Sequence, residues 1–192
     1  MAVVKVHQST ANAGRGSLAY TLAKLHNDTV AYLSDGLIVD AGLAISGQAA
    51  EKFKTTETAV YRINGVQYTK APADELTFTS NHVVTADKYG AILVQIDAAG
   101  TISTLVGEAT QTTPMAYDSA AEAVAALPNP AAGNVALGYI LIKAEDSDGH
   151  GNWTANTDDM TDGSDVETAT FVDADTKKLP DTITFYETGD PV

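Results

Sequence analysis

The stretch 146–152, which reads DSDGHGN, contains the residues whose types and spacing come nearest to a metal site. Carboxylates at the first and third positions, followed by glycine at a sharp turn, are typical of a calcium-binding loop, because Ca²⁺ takes oxygen ligands. Position five is His150, however, and position twelve is Thr157 in place of a bidentate glutamate. The weak metal candidates are therefore Asp146, Asp148 and the neighbouring Asp158. We expect no bound metal, with the stretch being simply an acidic loop.

The sequence contains no clear motif for catalysis or for a cofactor. The chain has no cysteine, which excludes disulfides, zinc–thiolate sites and thiol catalysis. The four histidines, at positions 7, 26, 82 and 150, do not pair at metal-ligand spacing, and no G-x-S-x-G nucleophile motif occurs. Paired carboxylates such as Asp158 and Asp159 fall in a loop-like region, where they stay ionised and serve poorly as general acids. We expect no catalytic residue, no cofactor and no enzymatic activity.

The charge is concentrated at one end of the chain. The 192 residues carry a net charge of −14, and the sequence pI is about 4.4. Residues 1–96 hold eight basic and eight acidic side chains, whereas residues 145–192 hold thirteen acids and only Lys177 and Lys178 as bases. A surface of this sign repels phosphate backbones, so we expect no nucleic-acid binding. No stretch is long and apolar enough to span a bilayer, and we expect no membrane partner and no export signal.

Two hairpins are the clearest elements of the pattern. Asn64-Gly65 joins two short apolar runs and favours a two-residue turn with both residues at positive φ. The predicted pairs of this hairpin are Ile63 with Val66, Arg62 with Gln67, and Tyr61 with Tyr68. A second hairpin is predicted around the turn 97–100. Its predicted pairs are Ile96 with Ile102 and Leu93 with Leu105.

The remaining pattern favours a mainly β fold with antiparallel hairpins, either a β-sandwich or barrel-like, with two short helices. One helix is predicted after Ser17, with Leu18, Leu22 and Leu25 on one face. The other begins at the capping box of Ser119 and Glu122. The run 135–142 is apolar on both faces, so it is either a central strand or an intersubunit contact. Further strands are predicted at 76–79, 82–85, 168–172 and 182–186.

Composition divides the chain into three parts. Residues 1–56 are predicted to form an N-terminal arm with a helix and short strands, residues 57–144 a β-rich core module, and residues 145–192 an acidic C-terminal segment with late strands. Low apolar density in 146–165 predicts a long loop there, with Trp153 as its one large anchor.

Several stretches together carry a family resemblance: YRINGVQYTKA at 61–71, FT at 78–79, KYGAILVQIDAAG at 88–100, the alanine-rich helix before Leu127-Pro128, and GNVALGYILI at 133–142. This set resembles a module of virion structural proteins in tailed bacteriophages, among them head decoration (cement) proteins and head-fibre proteins. The matched positions are turn, core and strand residues, so the resemblance implies a structural role without assigning site residues.

The resemblance implies a non-enzymatic capsid decoration protein on the outer surface of the phage head, made in the host cytoplasm. Its expected partners are the major capsid protein and other copies of itself, with a trimer favoured. We expect the charge-balanced N-terminal half to face the shell. The acidic C-terminal quarter would then point outward or lie over a basic neighbour. The alternative is a glycan- or receptor-binding fibre module that uses an exposed tyrosine or Trp153 beside the acidic loop.

Overall fold

A computed structural model describes residues 34–107, 113–145 and 151–176, together with Leu22 and His26. The chain divides into two compact units, of which Asp35–Thr176 is one; the other comprises Met1–Ser34 with Lys177–Val192. Of the second unit the structure describes only Leu22, His26 and Ser34, and both Leu22 and His26 are helical and exposed. The rest of the predicted helix after Ser17 and the predicted strand 182–186 lie outside the described residues.

The unit Asp35–Thr176 is mainly β, as predicted, and its paired strands run antiparallel. Its elements are β1 (Gly36–Val39), β2 (Leu43–Ile45), β3 (Phe53–Thr55), β4 (Ala59–Ile63), β5 (Val66–Lys70), β6 (Ala73–Leu76), β7 (Val83–Val84), β8 (Tyr89–Asp97), β9 (Ile102–Leu105), α1 (Ala120–Ala125), β10 (Asn134–Ala144), β11 (Trp153–Thr154) and β12 (Val166–Asp173). One helix of the described part thus has defined bounds, where the sequence predicted two.

The strands form four sheets. A three-stranded sheet has the order β1-β4-β5, and we call it the first sheet. A four-stranded sheet has the order β12-β10-β8-β9, and two smaller sheets have the orders β2-β3-β6 and β11-β7. Since β1 pairs with β4 and β12 with β10, strands from all three compositional segments share sheets.

Both predicted hairpins are confirmed with their registers. Ile63 pairs with Val66 and Tyr61 with Tyr68, and Asn64 and Gly65 adopt φ of 51° and 76°. In the second hairpin, Ile96 pairs with Ile102 and Leu93 with Leu105. Local turn chemistry therefore determines these two registers, as the sequence indicated.

The apolar run 135–142 is a central strand within the chain. As part of β10, it lies between β8 and β12. Its inward side chains Ile140 and Ile142 are fully buried in a hydrophobic core that also receives residues from the first sheet. On the opposite face of β10, Tyr139 and Leu141 are only half-buried. One apolar face of β10 is thus buried inside the unit, and the opposite face is only half-buried.

The short helix α1 begins as predicted. The Ser119 hydroxyl accepts a hydrogen bond from the backbone N–H of Glu122 at 3.2 Å, and the Glu122 carboxylate accepts one from the backbone N–H of Asp118 at 3.1 Å. The first bond is the predicted half of the capping box, while the return bond reaches one residue earlier than the box requires. The helix packs against β8 and β10.

Candidate interaction surfaces

Asp158 is the one of the three metal candidates that the structure describes, and its carboxylate stabilises a turn. Its Oδ2 accepts a hydrogen bond from the backbone N–H of Thr154 at 2.6 Å. Asp146 and Asp148 lie outside the described residues. Among the residues that the structure does describe, no three His, Cys, Asp or Glu side chains are grouped so that they could hold a metal ion.

Carboxylates support their own backbone throughout the segment 158–165, which we call the acidic turn. Asp159 Oδ1 accepts from the N–H of Thr161 at 2.6 Å, and Asp162 Oδ1 accepts from the N–H of Ser164 at 2.9 Å. Buried Met160 anchors the acidic turn, and its N–H donates to the carbonyl of Ala50 at 3.0 Å. The described residues 151–176 contain seven acids and no base. Negative charge is therefore held at a fixed place on the surface.

Trp153 is an anchor of the fold and not an exposed ligand platform. Its side chain is 1% exposed, and its ring meets Phe78 edge-on at a centroid distance of 5.9 Å. The buried indole Nε1 has no hydrogen-bond partner in the structure. The expectation that Trp153 could present an exposed binding ring is therefore wrong, because pairing of β11 with β7 turns the ring into the core.

The described histidines have structural or solvent-exposed positions. His82 is fully buried, and its Nε2 lies 2.9 Å from the hydroxyl of Thr104. That hydroxyl also accepts the backbone N–H of Thr79 at 2.9 Å, while the hydroxyl of Thr79 accepts the N–H of Thr104 at 2.7 Å. His26 is exposed, and His7 and His150 lie outside the described residues.

Exposed apolar side chains of the described strands lie in the N-terminal half. Val39 of β1 is 45% exposed and Val66 of β5 is 52% exposed, and both strands form edges of the first sheet. Single exposed hydrophobic residues are common on protein surfaces. Val39 pairs with Val60 and Val66 pairs with Ile63, so the register places the two valines on opposite faces of the first sheet. The two edges of the first sheet, in the charge-balanced half of the chain, are therefore candidate contact surfaces.

A second candidate surface is the outward side of the four-stranded sheet, which we call the outer face. The cross-strand register places one row of apolar residues across all four strands. This row consists of Leu105, Leu93, Tyr139 and Val172. The adjacent row contains Ala91, Leu141 and Thr170. The sequence predicts the doubly apolar strand 135–142 but does not indicate which strands lie beside it on this face.

Charges at one end of the outer face are paired. Lys143 Nζ donates to Asp87 Oδ1 at 3.0 Å and to Glu167 Oε2, and Lys88 Nζ donates to Asp118 at 2.6 Å. The bonds to Glu167 and Asp87 raise the pKa of Lys143. The bond from Lys143 holds the pKa of Asp87 below its ordinary value. Lysine charge at this end is thus balanced by neighbouring carboxylates.

No protein family, curated protein or solved structure matches this chain. Within the described residues, no helix is long and apolar enough to cross a membrane. The surfaces above are therefore the basis for a functional assignment.

Proposed function

We propose that this chain is a non-enzymatic structural protein of a tailed-phage virion that binds the outer surface of the assembled head and stabilises it. The observation that carries the proposal is the separation of two surface types within one β unit. The exposed valines lie on the first sheet, whereas residues 151–176 carry seven acids without a base. The family resemblance of the sequence supplies the phage context.

The first sheet is the proposed contact with the major capsid protein. Val66 offers apolar area on edge strand β5, and Val39 offers it on edge strand β1 at the opposite face of the sheet. Burying such area is favourable in proportion to the area removed from water. A footprint that spans neighbouring capsomers is complete only in the assembled shell. Binding of this kind stabilises the shell by mass action, because the ligand binds the assembled state and not its parts.

The acidic turn has a different part in the proposed contact. Its fixed negative charge favours approach to basic patches of the shell and repels packaged nucleic acid. Charges at the rim of an interface mainly set the association rate, and salt screens them. We therefore assign affinity to the apolar first sheet and salt-dependent steering to the acidic turn.

A glycan- or receptor-binding fibre module is the second candidate. The observation that favours it is Tyr139, a half-buried aromatic side chain on the outer face. An amphipathic ring with one side open can stack on a sugar. Burial of Trp153 removes the other aromatic that this alternative offered as a platform.

Cryo-electron microscopy of shells incubated with the protein distinguishes the two candidates. We expect added density on the outer shell, with the first sheet facing the capsid. Val66→Glu should weaken co-sedimentation with shells, whereas Thr157→Glu, which adds the same charge at an exposed position after β11, should not. Density confined to a tail or fibre would replace the decoration role with the receptor-binding one.

A further inference from the structure

Only part of the outer face, over β8, is covered by the helix α1 and the segment that follows it. Side chains alternate along β8, so Ala91 and Leu93 point away from the core that holds Ile92 and Val94. Ala91 and Leu93 are buried, because α1 packs over β8 and β10. Ala123, which belongs to α1, is buried as well. The segment after α1 continues this cover, since the N–H of Ala131 donates to Gln95 Oε1 at 2.8 Å.

Among the residues that the structure describes, the β10–β12 half of the outer face is less covered than β8. Tyr139, Leu141 and Val172 are half-buried there, and Thr168 and Thr170 beside them are exposed. These five residues form a patch on two long neighbouring strands, which we call the β10–β12 patch. Its apolar side chains are fixed in register by the pairing of β10 with β12.

The distribution of charge in and around the β10–β12 patch indicates which partner can pack against it. The patch contains no ionisable group except the phenol of Tyr139, although the chain carries a net charge of −14. At its edge Lys143 is paired with Asp87 and Glu167. Two copies repel each other where their acidic C-terminal segments approach, so a patch without net charge is a surface at which they can meet.

The acidic turn lies at one end of the two strands that carry the β10–β12 patch. The acidic turn leads directly into Val166, the first residue of β12, at the end of the sheet where Val166 pairs with Ala144. Tyr139 and Val172 lie toward the other end of the same two strands. A two-fold axis that lies in the plane of the patch, near its middle and perpendicular to the strands, would place the two acidic turns at opposite ends of the pair, where their repulsion is smallest.

We propose that a second copy of this chain packs against the β10–β12 patch, so that two outer faces meet about a two-fold axis. This contact rests on the self-association that the family resemblance implies for the proposed decoration protein, but not on the phage shell. It is self-complementary, with each patch contacting its equivalent. It therefore gives a two-fold pair in place of the trimer that the family resemblance implies.

Salt separates this contact from shell binding. Added salt screens repulsion between two acidic copies, so self-association should strengthen as salt rises. Docking of the acidic turn on a basic shell should instead associate more slowly at high salt. Failure of one contact is thus visible independently of the other.

Sedimentation equilibrium over a range of protein and salt concentrations tests the proposal. We expect a monomer–dimer equilibrium that tightens with salt. Leu141→Glu should weaken it by roughly tenfold or more, because a charge is placed without a partner at the centre of the contact. The control Val66→Glu carries the same new charge on the first sheet and should leave the equilibrium unchanged.

Disulfide trapping provides a second readout that does not depend on the folding of Leu141→Glu. The chain has no cysteine, so a single introduced thiol reports on its own position. Thr170→Cys should form a covalent dimer under mild oxidation, and Thr69→Cys on β5 should not. A monomer at all concentrations, a three-copy mass, or equal trapping of both variants would overturn the proposal.

Discussion

The hydroxyl of Thr104 lies 2.9 Å from Nε2 of His82, with both residues fully buried. The same hydroxyl accepts the N–H of Thr79, so one oxygen serves two polar groups inside the core. Thr104→Val keeps the side-chain shape but leaves the N–H and the ring nitrogen without this partner. We expect a loss of about 1–3 kcal/mol in the free energy of unfolding, measured by urea denaturation. Thr69→Val, at an exposed position on β5, is the matched control and should change stability little.

The Asn64-Gly65 turn should respond to substitution through its backbone. Gly65 has φ of 76°, and a Cβ placed there would meet nothing within 4 Å. Any cost of Gly65→Val is therefore conformational and not steric, and we expect about 1–2 kcal/mol. The melting temperature measures this loss. Gly163→Val, at a glycine with equally open surroundings, is the control, and an unchanged melting temperature for Gly65→Val would contradict the assigned turn.

Stability in acid should depend on Lys143. Its hydrogen bond lowers the pKa of Asp87 from the ordinary value of 3.8. A group whose pKa is lowered on folding stabilises the protein above its unfolded pKa, and this contribution is lost as the pH falls through the folded pKa. We therefore expect the melting temperature of the wild type to fall more between about pH 6 and about pH 3 than that of Lys143→Met does. Lys70→Met, which removes a lysine outside this cluster, should behave like the wild type.

Calcium should have little effect on stability. Asp158 is engaged by the N–H of Thr154, and a ligand that binds only the folded state must raise the melting temperature. We expect no saturable shift on calcium titration, with magnesium as the control. A saturable shift that Asp148→Ala abolishes would instead establish a metal site involving the stretch 146–152.

Structural features that depend on residues close together in the chain could be predicted from the sequence. The two hairpin registers follow from Asn64-Gly65 and from the turn 97–100, and the helix start follows from Ser119 and Glu122. The apolar run of β10 indicated a central strand because both of its faces are apolar. In each case the signal lies within a dozen residues.

Pairings between distant segments could not be predicted in this way. Pairing of β11 with β7 joins Trp153 to Val84, and it is this pairing that buries the tryptophan. The pairing of β1 with β4 and the small sheet of β2, β3 and β6 also depend on long-range contacts that no local pattern encodes. The outer face became recognisable only when β12 was placed beside β10, since its apolar row draws on four strands.

Equilibrium co-sedimentation of the purified chain with assembled phage shells that lack it, and in parallel with free capsid subunits, tests the decoration role most directly. We expect saturable binding to assembled shells, weak or no binding to free subunits, and a raised temperature of shell disassembly when the protein is bound. Equal binding to subunits and shells, or no binding to shells at any salt concentration, would contradict the decoration role.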